Sequence, residues 1–369
     1  MGNTLTRAWT PACRISSRLA DTRRVYADGM STTESSTIET PVIETQRERT
    51  DLPLVVMPTV IPTMLEPLSD CLPLLHDLAR VRFYTDFTLD EDTVVERIHD
   101  ADAVIVIGLH ITDRILERVS GHVRCFAFGG TGVASYINLP KTRELGIRVC
   151  NVVHYGDHAV AEHAFALIME LSKHVGLLDR DMREGQWEGI DGLDLYERTI
   201  GLAGFGGIGQ TMARIAQGFG MRILVWNSHL HADQAARFDA QPVDDLGDLF
   251  AQSDVVSLHL PLTGDTAGIV TAKELDRLRP GSIIVNTARA EVIAPGALAA
   301  RLQRGDILAG LDVFDHEPLP EDDPLRHVPG LIMTPHVAWR TPGANRNLTK
   351  QVVQSLAAFY RGERMNVVE

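Results

Sequence analysis

From residue 52 onward, short apolar runs alternate with longer amphipathic stretches, and few architectures tolerate that rhythm. LPLVVMP (52–58), AVIVIG (103–108), VRCFAFGG (123–130), IRVCNV (147–152) and TIGLAG (199–204) begin the series. RILVWN (222–227), VVSLHL (255–260), SIIVNT (282–287), LAGLDVF (308–314) and LIMTPH (331–336) continue it. These runs are apolar throughout rather than at every second residue. A strand with no polar face is buried on both sides, which calls for a parallel sheet between two helical layers. Helical patterns at 158–175, 207–219, 273–278, 295–304 and 344–361 supply those layers. At 369 residues two cores are a better fit than one. The expectation is α/β, with two Rossmann-like, doubly wound parallel-sheet domains.

The pattern at 158–175, followed by the irregular, charged stretch 176–198, reads as a bridge between the domains. The last helical pattern follows the last strand and returns to the first domain. That makes the first domain discontinuous and flavodoxin-like, built from 52–152 plus 340–369, with the dinucleotide-binding domain at 153–339. Residues 1–51 read as a polar leader or tail outside the fold. Arg7, Arg14, Arg18, Arg23 and Arg24 give its start the look of an organellar transit peptide, while Asp21 and Asp28 count against one, and Met30 is an alternative start.

Composition narrows the function. A net charge of −14 argues against direct binding to nucleic acid or an anionic membrane. No apolar run approaches the ~18 residues of a spanning helix. Cys13, Cys71, Cys125 and Cys150 stand far apart with no CxxC spacing, as suits reduced thiols in a cytoplasmic protein. No metal site is expected: His154 and His158 are four apart, but Tyr155-Gly156-Asp157 between them is poor helix and no third ligand is evident.

GFGGIG at 204–209 places Gly204, Gly206 and Gly209 in G-x-G-x-x-G spacing. A bare match is weak, but here a strand precedes it, a helix opens in it and a second strand follows. In such a βαβ unit the first glycine permits the tight turn. The second lets backbone approach a pyrophosphate, and the third lets helix pack on strand. The helix N-terminus then offers unpaired N–H groups to the phosphates. The second strand ends in Asn227 and Ser228 rather than in the Asp or Glu that binds ribose hydroxyls. Asn227 does not repel a 2′-phosphate and no adjacent Arg holds one, so NAD and NADP both stay open.

Three further strand ends carry polar groups: Asn286-Thr287-Ala288-Arg289, Asp312 to Pro318, and Thr334-Pro335-His336. Ligands of open parallel sheets sit beyond the carboxyl ends of the strands, so these tips converge on the cofactor crevice. Arg289 suits a bidentate clamp on a substrate carboxylate. His336 suits a proton donor to a carbonyl oxygen, oriented by Glu317. Taken singly, each has an ordinary explanation: a solvated Arg, a carboxylate in an acidic loop, a helix-capping His.

Together they carry a resemblance. HAVAEHAFALIM (158–169), LAGFGGIGQ (202–210), SDVVSLHLPLT (253–263), IIVNTARAEVI (283–293), AGLDVFDHEPLP (309–320) and MTPHVAW (333–339) resemble the D-isomer-specific 2-hydroxyacid dehydrogenases. That group includes phosphoglycerate dehydrogenase and glyoxylate/hydroxypyruvate reductases. The resemblance implies that Arg289 binds and activates the substrate, that Glu317 and His336 form the acid–base pair, and that Asp312 contacts the nicotinamide. It places Gly207 and Ile208 on the pyrophosphate and Asn227 on the ribose. Pro261, Thr287, Ala288, Ala338 and Trp339 would line the cofactor, with Arg289 and His336 beside it. Leu109-His110 and Gly130-Thr131-Gly132 would face the substrate carboxylate. A homodimer built around the bridge is also implied.

The chain departs from the family pattern in places. Ala290 stands where a Gly usually follows the Arg, and Val292-Ile293-Ala294 replaces the usual VD. FGGTGVASYI replaces the commoner G-x-x-N-I/V-D, which touches the pocket and so substrate identity. The reading is an NAD(P)-dependent reduction of a 2-oxo acid to a D-2-hydroxy acid. Two rivals remain on the same scaffold: phosphite-type oxidation, and a dinucleotide-sensing protein like the family's corepressors.

Overall fold

The structure is a computed structural model that describes residues 42–228 and 232–368. The first sheet contains β2 (Leu54–Met57), β3 (Arg80–Tyr84), β4 (Ala103–Val106), β5 (Cys125–Phe128) and β6 (Arg148–Cys150). These lie parallel in the order β3-β2-β4-β5-β6, the flavodoxin-like arrangement. Antiparallel strands flank them: β1 (Val42–Glu44) along β3 and β14 (Val367–Val368) along β6. The second sheet contains β7 (Thr199–Ala203), β8 (Arg222–Trp226), β9 (Ala240–Pro242), β10 (Val255–Leu258), β11 (Ile283–Asn286), β12 (Leu308–Leu311) and β13 (Leu331–Met333). It is parallel throughout, in the order β13-β12-β11-β10-β7-β8-β9.

The unbroken apolar runs have the two-faced burial they demand. Val55 and Met57 of β2 enter one core with Leu348, Val352 and Leu356, while Leu54 and Val56 enter another with Val94, Ile98 and Ile115. The same division holds in the second sheet, where Ile200 and Leu202 face one core and Ala203 the other. One device recurs at the amino ends of both sheets. The Asp preceding β4, Asp102, accepts the Leu54 amide of β2 at 2.8 Å. The Asp preceding β10, Asp254, accepts the Thr199 amide of β7, also at 2.8 Å.

Helix α1 (Asp157–Lys173) bridges the sheets and ends at His174, whose φ of 54° turns the chain out of the helix. The stretch expected to be irregular then forms a second helix, α2 (Val175–Arg183), with no buried residue. Helix α3 (Gly207–Gly218) follows the glycine turn. Helix α4 (Pro342–Tyr360) begins with Thr341 accepting the Ala344 amide and Pro342 in the first turn, and buries Leu348, Val352 and Leu356 against the first sheet. The first domain is thus discontinuous.

Residues 1–41 of the expected leader lie outside the described residues, but its last ten do not follow that expectation. Val42–Glu44 joins the sheet through polar contacts rather than apolar ones. Glu44 accepts from Arg80 Nη1 at 2.9 Å and Arg82 Nε at 3.1 Å, and the Val81 amide donates to Thr45 Oγ1 at 3.0 Å. Ordered structure therefore starts before Leu52. Among the described residues no helix is long and apolar enough to cross a membrane.

Candidate active site

In the second sheet the strand order reverses between β7 and β10, so the crevice opens beyond their carboxyl ends. Gly204 leaves β7 with φ +100°, and a β-carbon there would stand 2.6 Å from the His259 carbonyl oxygen. A side chain is excluded by both backbone and neighbour. A β-carbon on Gly209 would collide with the Gly204 carbonyl, so Gly209 allows α3 to pack on its strand. Gly206 has nothing within 4 Å of its β-carbon position and is exposed, as needed where a phosphate approaches. Gly207 lies against the Asp157 carboxylate at the start of α1. Thr287 Oγ1 and both ring nitrogens of His259, at the tips of β11 and β10, are buried without a hydrogen-bond partner. Burial alone holds His259 down to about 3, so its ring is neutral. Glycine turn, open helix N-terminus and orphaned polar atoms fit a dinucleotide. Asn227 is half-buried and Ser228 exposed at the end of β8; Pro261 is exposed, Ala288 partly buried and Ala338 buried.

The Arg289 guanidinium lies where a β-carbon on Gly132 would be, which brings the loop after β5 against Arg289. Asn286 shapes the turn before it: its Nδ2 donates to the Arg289 carbonyl at 2.9 Å, and its Oδ1 accepts the Ala288 amide at 3.0 Å. Arg289 Nη1 also donates to the Ala288 carbonyl at 2.7 Å. Ala290 starts a short 3₁₀ turn in ordinary backbone geometry, so the missing glycine costs the loop nothing.

His336 Nδ1 and Glu317 Oε2 are 2.6 Å apart. The other carboxylate oxygen accepts the Phe314 amide at 3.0 Å. Burial pushes the Glu317 carboxyl up. The His336 hydrogen bond and charge, the Phe314 N–H and Arg289 outweigh burial and hold it below the usual carboxylate range. With Nδ1 turned to Glu317, His336 has Nε2 for a substrate. His336 does not cap a helix; it sits at φ +51° in the loop before α4.

Asp312 does not present an open carboxylate. Its side chain is 1% exposed and accepts from Thr334, Val337 and Ala338. Leu109 is buried, His110 and Thr131 are exposed, and Gly130 is buried. Two aromatic residues that sequence reasoning missed, Tyr136 and Tyr155, complete the surroundings together with Trp339. Tyr136 stacks on His110 at 4.5 Å and meets Phe128 at 5.0 Å. Burial raises the Tyr136 hydroxyl, and the charges of Arg289 and Glu317 both reach it. Tyr155 is pushed up to about 12, first by burial and against the pull of Arg289. Trp339 meets it edge-on with centroids 6.4 Å apart. The signal for Tyr136 was present in the departing loop FGGTGVASYI; Tyr155 carried none.

The NAD-binding domain profile of the D-isomer-specific 2-hydroxyacid dehydrogenases matches residues 165–338. A glyoxylate reductase of Korarchaeum cryptofilum is 35% identical over 277 residues, 73% of this chain and 83% of that protein. A hydroxypyruvate reductase of Blautia hydrogenotrophica is 32% identical, over 76% and 88%. Among solved structures, apo D-lactate dehydrogenase from Escherichia coli superposes with a TM-score of 0.75 at 29% identity, covering 86% of this chain and all of that one. The chain belongs to the D-isomer-specific 2-hydroxyacid dehydrogenase family and is an NAD-binding oxidoreductase acting on CH–OH groups.

Proposed function

We propose that this enzyme interconverts a small 2-oxo acid and its D-2-hydroxy acid, with Arg289, Glu317 and His336 as its catalytic residues. The observation that carries this reading is the 2.6 Å His336–Glu317 pair on the same crevice as Arg289. Arg289 binds the substrate carboxylate through its planar fork and draws the neighbouring carbonyl into register. The loops at Leu109-His110 and Gly130-Thr131-Gly132 close around that carboxylate. His336 delivers a proton from Nε2 to the carbonyl oxygen as that oxygen gains charge, and takes it back in the reverse direction. Glu317 fixes the tautomer and faces the ring with a carboxylate that stays ionised.

The bound nicotinamide cofactor supplies the hydride. Gly206, Gly207 and Ile208 would hold its pyrophosphate on the turn that Gly204 and Gly209 make possible, Asn227 and Ser228 its ribose, and Pro261, Thr287, Ala288, Ala338 and Trp339 would line the rest of it. NAD is the cofactor; the neutral Asn227 leaves NADP acceptable as well. The enzyme works as a homodimer in the cytoplasm, where Cys71, Cys125 and Cys150 stay unpaired as they are here.

The test follows loss of NADH and of NADPH with glyoxylate, hydroxypyruvate, pyruvate and a phenyl-substituted oxo acid. Turnover that His336→Ala lowers by roughly 10²–10⁴-fold, with NADH binding retained, supports the reading. Tight NADH binding without turnover on any oxo acid would sink it in favour of a sensor.

A further inference from the structure

Asp312 follows β12 and is almost fully enclosed, yet it carries a carboxylate. Its Oδ1 accepts the Thr334 hydroxyl at 2.6 Å and the Val337 amide at 2.9 Å, and its Oδ2 accepts the Ala338 amide at 2.8 Å. Thr334 Oγ1 is the donor in its bond to Asp312 and a hydroxyl has one proton, so that proton is committed to Asp312. The Thr334 oxygen must then accept from its other neighbour, His163 Nε2, 2.9 Å away. This direction of donation fixes the His163 ring with its proton on Nε2. The same nitrogen stands 3.7 Å from Asp312 Oδ1.

The three groups grip the loop on both sides of the proton donor. Thr334 lies two residues before His336, and Val337 and Ala338 follow it directly. Between these anchors His336 takes φ +51°, a conformation that a residue with a β-carbon holds only where its surroundings impose it. His163 reaches this loop from α1, the bridging helix, whose first residue Asp157 lies against Gly207 of the dinucleotide turn. One helix therefore bears on both the cofactor turn and the donor loop.

We propose that His163 is a positioning residue for the reaction: its Nε2–H sets the Thr334 hydroxyl on Asp312, and this clamp holds residues 334–338 so that His336 meets the substrate. The inference rests on the reading of His336 as proton donor. His163 does not touch substrate, and a purely structural role would lower stability without separating kcat from KM.

The test compares His163→Leu with His163→Gln, whose amide N–H can still donate to Thr334. It uses the full chain, glyoxylate and hydroxypyruvate as substrates, and melting temperature as the check on folding. The expected result for His163→Leu is a kcat lower by up to about 100-fold, the loss that a small misplacement of a reacting group produces, with the KM for NADH little changed. His163→Gln should recover most of that loss. In parallel, long-range ¹H–¹⁵N spectra of ¹⁵N-histidine-labelled protein should show His163 as the Nε2–H tautomer, with its signal shifted in Thr334→Val. An unchanged kcat in His163→Leu, an equal loss in the Leu and Gln variants, or an Nδ1–H tautomer each overturns the proposal. If the wild-type chain turns over no 2-oxo acid, the catalytic reading falls, and the spectra alone decide whether the clamp exists.

Discussion

Because burial alone would favour the protonated acid, the lowered Glu317 carboxyl measures how strongly its partners compensate: His336 first, then the Phe314 amide and Arg289. A group whose native pKa lies below its unfolded value stabilises the fold above the unfolded pKa, and that contribution is lost as pH falls through the native one. The gap in melting temperature between the wild type and Glu317→Gln should close as pH falls below about 5. A gap that widens in acid would contradict the lowered carboxyl. At Gly132 the constraint is steric. A methyl group there collides with the Arg289 guanidinium, so Gly132→Ala should raise the oxo-acid KM by about tenfold, or ~1.4 kcal/mol, with the KM for NADH unchanged. Arg289, Glu317 and His336 were legible because each stands in a run of characteristic spacing at a strand tip. His163 was not: one His on an apolar helix looks like any interface residue, and only the fold sets it beside Thr334, 171 positions later.

The glycine turn and its helix offer a sharper separation, because neighbouring glycines serve different ends. Gly206 has an ordinary φ of −73° and open space around its β-carbon position. Gly206→Ala should therefore leave stability within about 0.5 kcal/mol of wild type while weakening NADH binding by about tenfold. Gly209→Ala drives a methyl into the Gly204 carbonyl and should destabilise the chain by roughly 1–3 kcal/mol. Thermal melts paired with NADH titration distinguish the two, and equal melting temperatures would refute the division of roles. The strands that bound this turn were readable because burial on both faces leaves them apolar throughout. β3 was not readable, for the opposite reason. It reads RVRFY, with Val81 and Phe83 buried and Arg80 and Arg82 turned to Glu44 of β1, so its period of two and its basic face hide it from a search for apolar runs. β9, three residues ending in Pro242, is too short to show any period.

At the scale of the whole molecule, the segment 175–196 leaves several large apolar side chains exposed. Helix α2 has no buried residue, and along and after it Val175, Trp187, Ile190 and Tyr196 are 63%, 85%, 47% and 67% exposed. Scattered exposed apolar residues are normal on a monomer, but an aromatic at 85% exposure beside three more exposed apolar side chains is what the homodimer proposed above would bury. The homodimer offers the occupant, since a symmetric pair brings the same segment of two copies together and removes Trp187 from water. Light scattering should then give twice the 40.6 kDa chain mass for the wild type, while Trp187→Glu should give the monomer at the same concentration. The consequence for catalysis follows from connectivity. α2 continues from α1 through His174, and α1 carries Asp157 against the dinucleotide turn and His163 against Thr334. An interface on this segment would steady the helix that bears on the glycine turn and on the loop of His336, so the Trp187→Glu monomer should fold yet lose kcat, and full activity in a proven monomer would show that α1 holds its place unaided.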